Sequence, residues 1–541
     1  MSSRQRSFWV ITIILIAGLF RFGGLMWGGG YYFHPDENNI ARAVLNLDQE
    51  SDPKFYAYGQ LPIFLTLLSA RAYNLFSFIH QQVTIDFYEA IFFLRFWSAL
   101  AGTISIWLIY KLGKMLISPR GGLIAAIILA FLPGLIQASH FGTTESLLVL
   151  FYLTISYWSI RFYQEKKSTH LLIAGFFLGL ALSTKISAGL FGLIPITAAL
   201  MSKINSQKKL IKKTILNLLI ITITSLITMI AFSPFLILAY PQSISTLKYE
   251  IAVAGGGIVT FYTRQFLNTL PFLFQIRRIF PFSIGWPVLL LSLGGLIIII
   301  KDRKKNQQFS DWLIILIPTL IFFLYQGQLF VKWTRFMTPI LPIFSLLTAK
   351  TIVKTNKRIL STIVIISIIP GLIFFDLVYN QPDIRQQFSD WTEKNLIQKA
   401  TILSESRNVL SLPLRSIDNL EIIDLDLYQL DEDSNQQEQL YQALEKADFI
   451  LIPNRRVFAN HQLDQFPNIA NYYQKLFSGD LGFSHLETFS STSHLGIINS
   501  YYQNTELEAE ETWTVFDHPT IRIYQKTTPY LAKRYRQILF Q

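Results

Sequence analysis

Apolar runs recur along the first two thirds of the chain, separated by short polar breaks. Most approach the ~20 residues that a helix needs to cross a bilayer's hydrocarbon core. The pattern predicts eleven transmembrane segments, over residues 8–27, 89–110, 122–137, 146–162, 171–183, 188–201, 215–238, 284–300, 312–325, 337–349 and 359–375. The fifth and sixth are short and meet at Thr184-Lys185. Two long polar loops interrupt the series, over 28–88 and 240–282, and the second carries Gly255-Gly256-Gly257. Beyond residue 376 the pattern changes. Thr401–Ser404, Ala447–Pro453 and Thr520–Tyr524 read as strands, and Tyr441–Lys446 as an amphipathic helix. This predicts an α-helical polytopic bundle over 1–376 and a small soluble α/β domain over 377–541.

Charge gives the bundle a direction. Arg4 and Arg6 precede the first segment. Lys111, Lys114 and Arg120 follow the second; Arg161, Lys166 and Lys167 follow the fourth. Lys203, Lys208, Lys209, Lys212 and Lys213 follow the sixth. Lys301, Arg303, Lys304 and Lys305 follow the eighth, and Lys350, Lys354, Lys357 and Arg358 the tenth. Basic residues collect in every second loop, which places those loops and the N-terminus in the cytoplasm. Both long polar loops, the His140–Glu145 turn, the Lys185 turn and the α/β domain are then expected outside, for a multi-pass protein of the cell membrane. Composition supports a bilayer partner, with 51% hydrophobic and 15% charged residues against roughly 25% charged in soluble domains.

The net charge of +12 conceals a split: 14 basic and 22 acidic residues from Leu377 onward, 33 and 13 before it. The basic excess belongs to the cytoplasmic loops and is no sign of nucleic-acid binding. The chain has no cysteine, which excludes disulfides, cysteine–zinc sites and thiol nucleophiles. The N-terminus resembles a signal peptide, but Arg21 and Trp27 suit a cleavage site poorly, so a retained first helix is expected.

The candidate chemistry gathers in the loops expected outside. Tyr31-Tyr32-Phe33-His34-Pro35-Asp36-Glu37 follows directly on the first segment. Pro35 suits the first turn of a helix, whose N-terminus attracts anions. Asp36 there can act as general base for a hydroxyl, with Glu37 beside it. Glu145 opens the fourth segment; it is a cap beside Thr143 and Thr144, or a second carboxylate that shares a cation or the acid–base work. Lys185 and Arg335 are cations that either snorkel or bind phosphate, and Arg264, Arg277 and Arg278 add charge to the second long loop. His34 and His140 are metal ligands, phosphate donors or structural histidines. Asp431-Glu432-Asp433 resembles a metal-binding acid run, though a solvated loop is the better reading.

These motifs, in this order, resemble those of the GT-C membrane glycosyltransferases, specifically the protein O-mannosyltransferase and aminoarabinose-transferase-like superfamily. The resemblance covers about residues 8–376. It rests on Phe33–Glu37, on Tyr58-Gly59-Gln60-Leu61-Pro62, on Arg95 in Leu94–Leu100, on Pro133–Glu145, on Gly179–Lys185 and on Arg335–Pro342. At 145 the family usually has aspartate, and the early loop keeps Pro62 alone of a proline pair. Phe516-Asp517-His518-Pro519 resembles the endings of prokaryotic members.

The resemblance implies short re-entrant or interfacial helices in the first long loop. It also implies transfer of a sugar from a polyprenyl-phosphate donor to a hydroxyl of a glycan, lipid or protein. Asp36 would be the base, and inversion is expected. Glu37 and Glu145 would assist. His34, Tyr58, His140, Lys185, Arg264, Arg278 and Arg335 would bind substrate. No metal ligand is assigned, and a divalent cation is left open. A flippase of lipid-linked sugars and a non-catalytic assembly protein are the alternatives; no internal inverted repeat is visible to favour the first.

Overall fold

The computed structural model describes residues 2–540 except 77–83, 203–206, 304–307, 356, 397–398, 406–419 and 493–506. Lys203, Lys304 and Lys305 lie outside the described residues. The chain folds as two compact units. The first is Met1–Met26, Asp36–Gly257 and Leu270–Phe375; the second is Trp27–Pro35, Ile258–Thr269 and Asp376–Gln541.

The first unit is a polytopic helical membrane bundle. Each of the eleven expected segments is mainly helical, the third being divided between two helices, Pro119–Ala130 and Pro133–His140. Among the described residues seven helices are long and apolar enough to span, or nine if each of two bent pairs makes one span. The short fifth and sixth segments are the helices Ser168–Leu182 and Ile186–Leu200, below spanning length. The seventh segment was expected to reach Leu238, but its helix Gln207–Phe232 stops before Ser233-Pro234. Proline crowds the residue before it out of helical geometry.

Local signals set the other ends. The longest helix, Phe87–Leu116, starts at a reciprocal cap: Asp86 accepts from the Glu89 amide at 2.7 Å, and Glu89 from the Asp86 amide at 3.1 Å. Helices Pro119–Ala130 and Pro133–His140 bend by 58° at the break before Pro133. Arg21, fully buried, donates to the Leu129 and Ala130 carbonyls at 3.3 and 3.2 Å. A cation thus meets the helix C-terminus where carbonyls lack intrahelical partners. The first long loop contains two helices, Pro35–Glu50 and Leu61–Phe76, as expected of interfacial elements. The second contains Tyr240–Gly255, followed within this unit by the π turn Gln275–Ile279.

The second unit is built on a five-stranded sheet. Its strands are β1 (Ala400–Glu405), β2 (Leu420–Leu425), β3 (Phe449–Ile452), β4 (Phe483–Phe489) and β5 (Ile521–Lys526), in the order β2-β1-β3-β5-β4. β2, β1 and β3 are parallel; β3, β5 and β4 are antiparallel. Strand alternation sends Leu403, Ile450 and Ile452 to one face, against Leu440, Leu444, Ile469 and Leu476. Ile402, Leu451 and Ile523 face the other way, against Ile384 and Phe388. The acid run 431–433 lies in a turn with Glu432 exposed, and each carboxylate has a partner. Asp433 caps the helix Ser434–Lys446, Asp431 accepts from the amides of Asn468 and Ile469, and Glu432 pairs with Arg264.

Candidate active site

Asp36 and Glu37 occupy the first turn of the Pro35–Glu50 helix. Successive helical residues are turned by about 100°, and the two carboxylates have different fates. Glu37 points inward and grips Arg95, with Nε–Oε1 at 2.9 Å and Nη2–Oε2 at 2.7 Å; both side chains are fully buried. Glu37 also accepts from the Gly142 amide at 2.5 Å. A side chain at 142 would collide with Leu94 and Glu37, so only glycine allows this approach. The triangle ties the first-loop helix, the Phe87–Leu116 helix and the 140–145 turn together.

Asp36 turns toward partly open space. It pairs with Arg335, and the two side chains are 24% and 25% exposed. Arg335 lies in the first turn after Trp333, its guanidinium carbon 4.2 Å from the Trp333 ring centroid. Its Nη1 also reaches the Tyr58 hydroxyl at 3.5 Å. Lys185 stands over the Tyr58 ring at 5.1 Å and the Phe336 ring at 5.5 Å, and bonds Glu145 at 3.4 Å. Thr144 does not cap the following helix; its hydroxyl donates to Glu145 at 3.0 Å.

Backbone bonding brings Tyr58 to Lys185. The Gly59 amide donates to Thr184 at 3.1 Å and the Leu61 amide to Ser183 at 2.9 Å. A Cβ at Gly59 would lie 2.1 Å from the Ser183 carbonyl oxygen. Ser233 seals the junction, accepting from the Gln60 amide and donating to the Ser183 carbonyl.

Burial lowers the pKa of Lys185, with Glu145 opposing the shift, and raises that of Tyr58 well above the usual phenol range. Glu250, on the Tyr240–Gly255 helix, lies within electrostatic reach of Arg335, Lys185 and Asp36. Burial raises its pKa, and the two cations oppose that rise. Sequence reasoning passed over Glu250 because its neighbours Tyr249 and Ile251 form no motif. Its place in the second long loop was the available signal.

Asp36, Tyr58, Glu145, Lys185 and Arg335 therefore share one cluster. Both ring nitrogens of His140 face backbone carbonyls, of Ile136 and Gly23, each at 2.8 Å. That geometry serves the fold and leaves neither nitrogen directed at a substrate. Arg278 sits on the π turn Gln275–Ile279. His34 and Arg264 belong to the second unit. There His34 lies against Phe516, and Arg264 bonds the Tyr428 carbonyl, Glu432 and His461. Among the described residues no three His, Asp or Glu side chains converge as a metal site.

Residues 75–238 match the dolichyl-phosphate-mannose-protein mannosyltransferase family. The fold is similar to that of the oligosaccharyltransferase of Archaeoglobus fulgidus in its apo form, with a TM-score of 0.55 at 12% identity over 97% of this chain and 89% of that one. The chain shares the fold of that archaeal protein. The same archaeal oligosaccharyltransferase in complex with an inhibitory peptide and a dolichol-phosphate gives a TM-score of 0.51 at 12% identity over the same shares. ArnT from Cupriavidus metallidurans is a looser likeness, with a TM-score of 0.45 at 14% identity over 88% and 73% of the two chains. Among curated proteins no sequence match is significant.

Proposed function

We propose that this protein is a GT-C-type membrane glycosyltransferase that transfers a sugar from a polyprenyl-phosphate donor to an acceptor hydroxyl on the extracytoplasmic side, with Asp36 as the general base. The observation that carries the reading is the pairing of two carboxylates with two cations around Tyr58, left partly open. The alternate basic loops support the assigned side of the membrane. The donor's phosphate is anionic and competes with Asp36 for Arg335, whose planar fork suits phosphate oxygens. Donor binding then both seats the leaving group on Arg335 and Lys185 and releases the Asp36 carboxylate. Asp36 takes the acceptor's proton as the acceptor oxygen bonds the anomeric carbon. The bond from that carbon to phosphate oxygen breaks, and polyprenyl phosphate leaves with the electron pair. One displacement inverts the anomeric centre. The departing phosphate is already weakly basic and needs charge stabilisation rather than a strong acid. Glu145 holds Lys185 in place, and Glu250 is a second carboxylate on the acceptor side of the balance.

The test is purified protein given a labelled polyprenyl-phosphate sugar and a hydroxyl acceptor, with release of polyprenyl phosphate measured. Asp36→Asn, folded and inserted, should lose transfer. Undiminished release by that variant removes Asp36 from the chemistry.

A further inference from the structure

Arg21 is a cation sealed inside the helical unit with no carboxylate beside it. Its side chain is 1% exposed. Nη1 donates to the Ala17 and Ala130 carbonyls at 3.1 and 3.2 Å, and Nη2 to the Leu129 carbonyl at 3.3 Å. The Nε–H has no partner, and among the described residues no carboxylate pairs with the guanidinium. We propose that Arg21 holds one monovalent anion of halide size in the cavity at its Nε. This binding site stands apart from the Asp36 cluster and does not depend on the sugar-transfer reading.

A cavity of about 10 Å³ is lined by Arg21, Gly102, Ser105, Ser139 and Ser146, and otherwise by apolar side chains. That is room for one small occupant. A Cβ added at Gly102 would collide with Ser139 Oγ and lie 3.0 Å from Arg21 Nε, so both atoms border the space over this glycine. The lining is drawn from five helices of the first unit, among them Glu145–Glu165, which Glu145 opens. An ion here therefore joins the helices on both sides of the 140–145 turn.

Charge decides between an anion and a water. Leu129 and Ala130 end the helix Pro119–Ala130, and the carbonyls of such an end carry about half a negative charge. A water would satisfy the Nε–H and leave the rest of the guanidinium charge buried without compensation, whereas a halide does both. The Ser146 hydroxyl lines the same cavity and can donate as well. Ser105 and Ser139 donate to the carbonyls of Ala101 and Leu135, each at 2.7 Å. Those carbonyls also accept a helical amide, so either hydroxyl can turn to an anion without orphaning them. A single positive charge and room for one atom exclude sulfate and phosphate.

The test melts purified protein in detergent and sodium gluconate, with chloride or bromide titrated in at constant ionic strength. The melting temperature should rise along a saturating curve, by about 1–3 °C at several times the dissociation constant. Gly102→Ala fills the cavity and keeps the charge, and in that variant the halide response should vanish. Wild-type crystals grown in bromide should give an anomalous peak beside Arg21, a measurement that needs no variant to fold. A wild-type melting temperature indifferent to halide, or no bromide peak beside Arg21, leaves only a water in the cavity and overturns the proposal. A halide response that Gly102→Ala retains also overturns it, because the ion then sits elsewhere.

Discussion

Asp36 and Glu37 are adjacent carboxylates with opposite surroundings. Glu37 is sealed with Arg95 and a backbone amide, with no exposed surface on either side chain. Asp36 meets Arg335 where about a quarter of each side chain stays accessible. The second unit repeats the sealed style, with Arg385–Asp383 and Arg456–Glu511 almost wholly enclosed. A sealed pair costs desolvation on both sides and returns a fixed geometry. A partly open pair can exchange one partner for an incoming ion. In the proposed reading the Asp36–Arg335 pair is the one that yields to phosphate, and the sealed pairs brace the helices that carry them.

Four substitutions sharpen or break that contrast, beginning with the largest effect. Asp36→Asn should lower sugar transfer by about 10²–10⁴-fold, the usual worth of a general base, with little change in thermal stability. A variant that melts early but transfers normally would put Asp36 among the bracing residues. Glu37→Ala should do the reverse. It leaves Arg95 charged and buried, which costs about 3–5 kcal/mol, visible as a lowered melting temperature in detergent. A fully stable Glu37→Ala protein contradicts the bracing role. Lys185→Met removes a charge-assisted contact to phosphate worth about 1.5–3 kcal/mol. The donor KM should rise about 10–100-fold, and an unchanged KM takes Lys185 out of the donor site.

The smallest effect concerns Glu250, whose pKa in the folded protein is raised, chiefly by burial. The folded state holds this proton to higher pH than the unfolded chain does. Wild-type stability from this group is present below the ordinary carboxylate range and falls as pH climbs through the raised value. Glu250→Gln lacks that loss, so the variant's melting temperature should gain on wild type as pH rises. A pH-independent difference shows that the surrounding Arg335 and Lys185 cancel the burial.

Much of the fold was legible because bilayer spans and sheet strands leave one-dimensional patterns. All eleven apolar segments are mainly helical, and three strands of the second unit fall where alternation and apolar runs put them. Hydrophobic periodicity is local, so it survives without any knowledge of neighbours. The breaks at Pro133 and Ser233-Pro234 went unread, since the expected third and seventh segments ran through both, although proline acts there on its own backbone.

The site residues were legible only as a set of residue types. Asp36, Tyr58, Glu145, Lys185 and Arg335 stand in five separate stretches, and nothing in their spacing says that they meet. Their convergence depends on side-chain direction and on bonds between distant segments, such as Gly59 to Thr184. Nor does the sequence separate Asp36 from Glu37, since the difference is one step of helical rotation against a three-dimensional surrounding. His140 looked as eligible as Lys185 until two carbonyls closed on its ring. Glu250 had no motif and came into view only through the charges around it. The sequence alone determined a polytopic helical bundle with an acidic α/β appendage, because burial in lipid and strand alternation are written residue by residue. Which carboxylate is sealed and which is open was decided by tertiary structure, because exposure and ion pairing are properties of segments brought together.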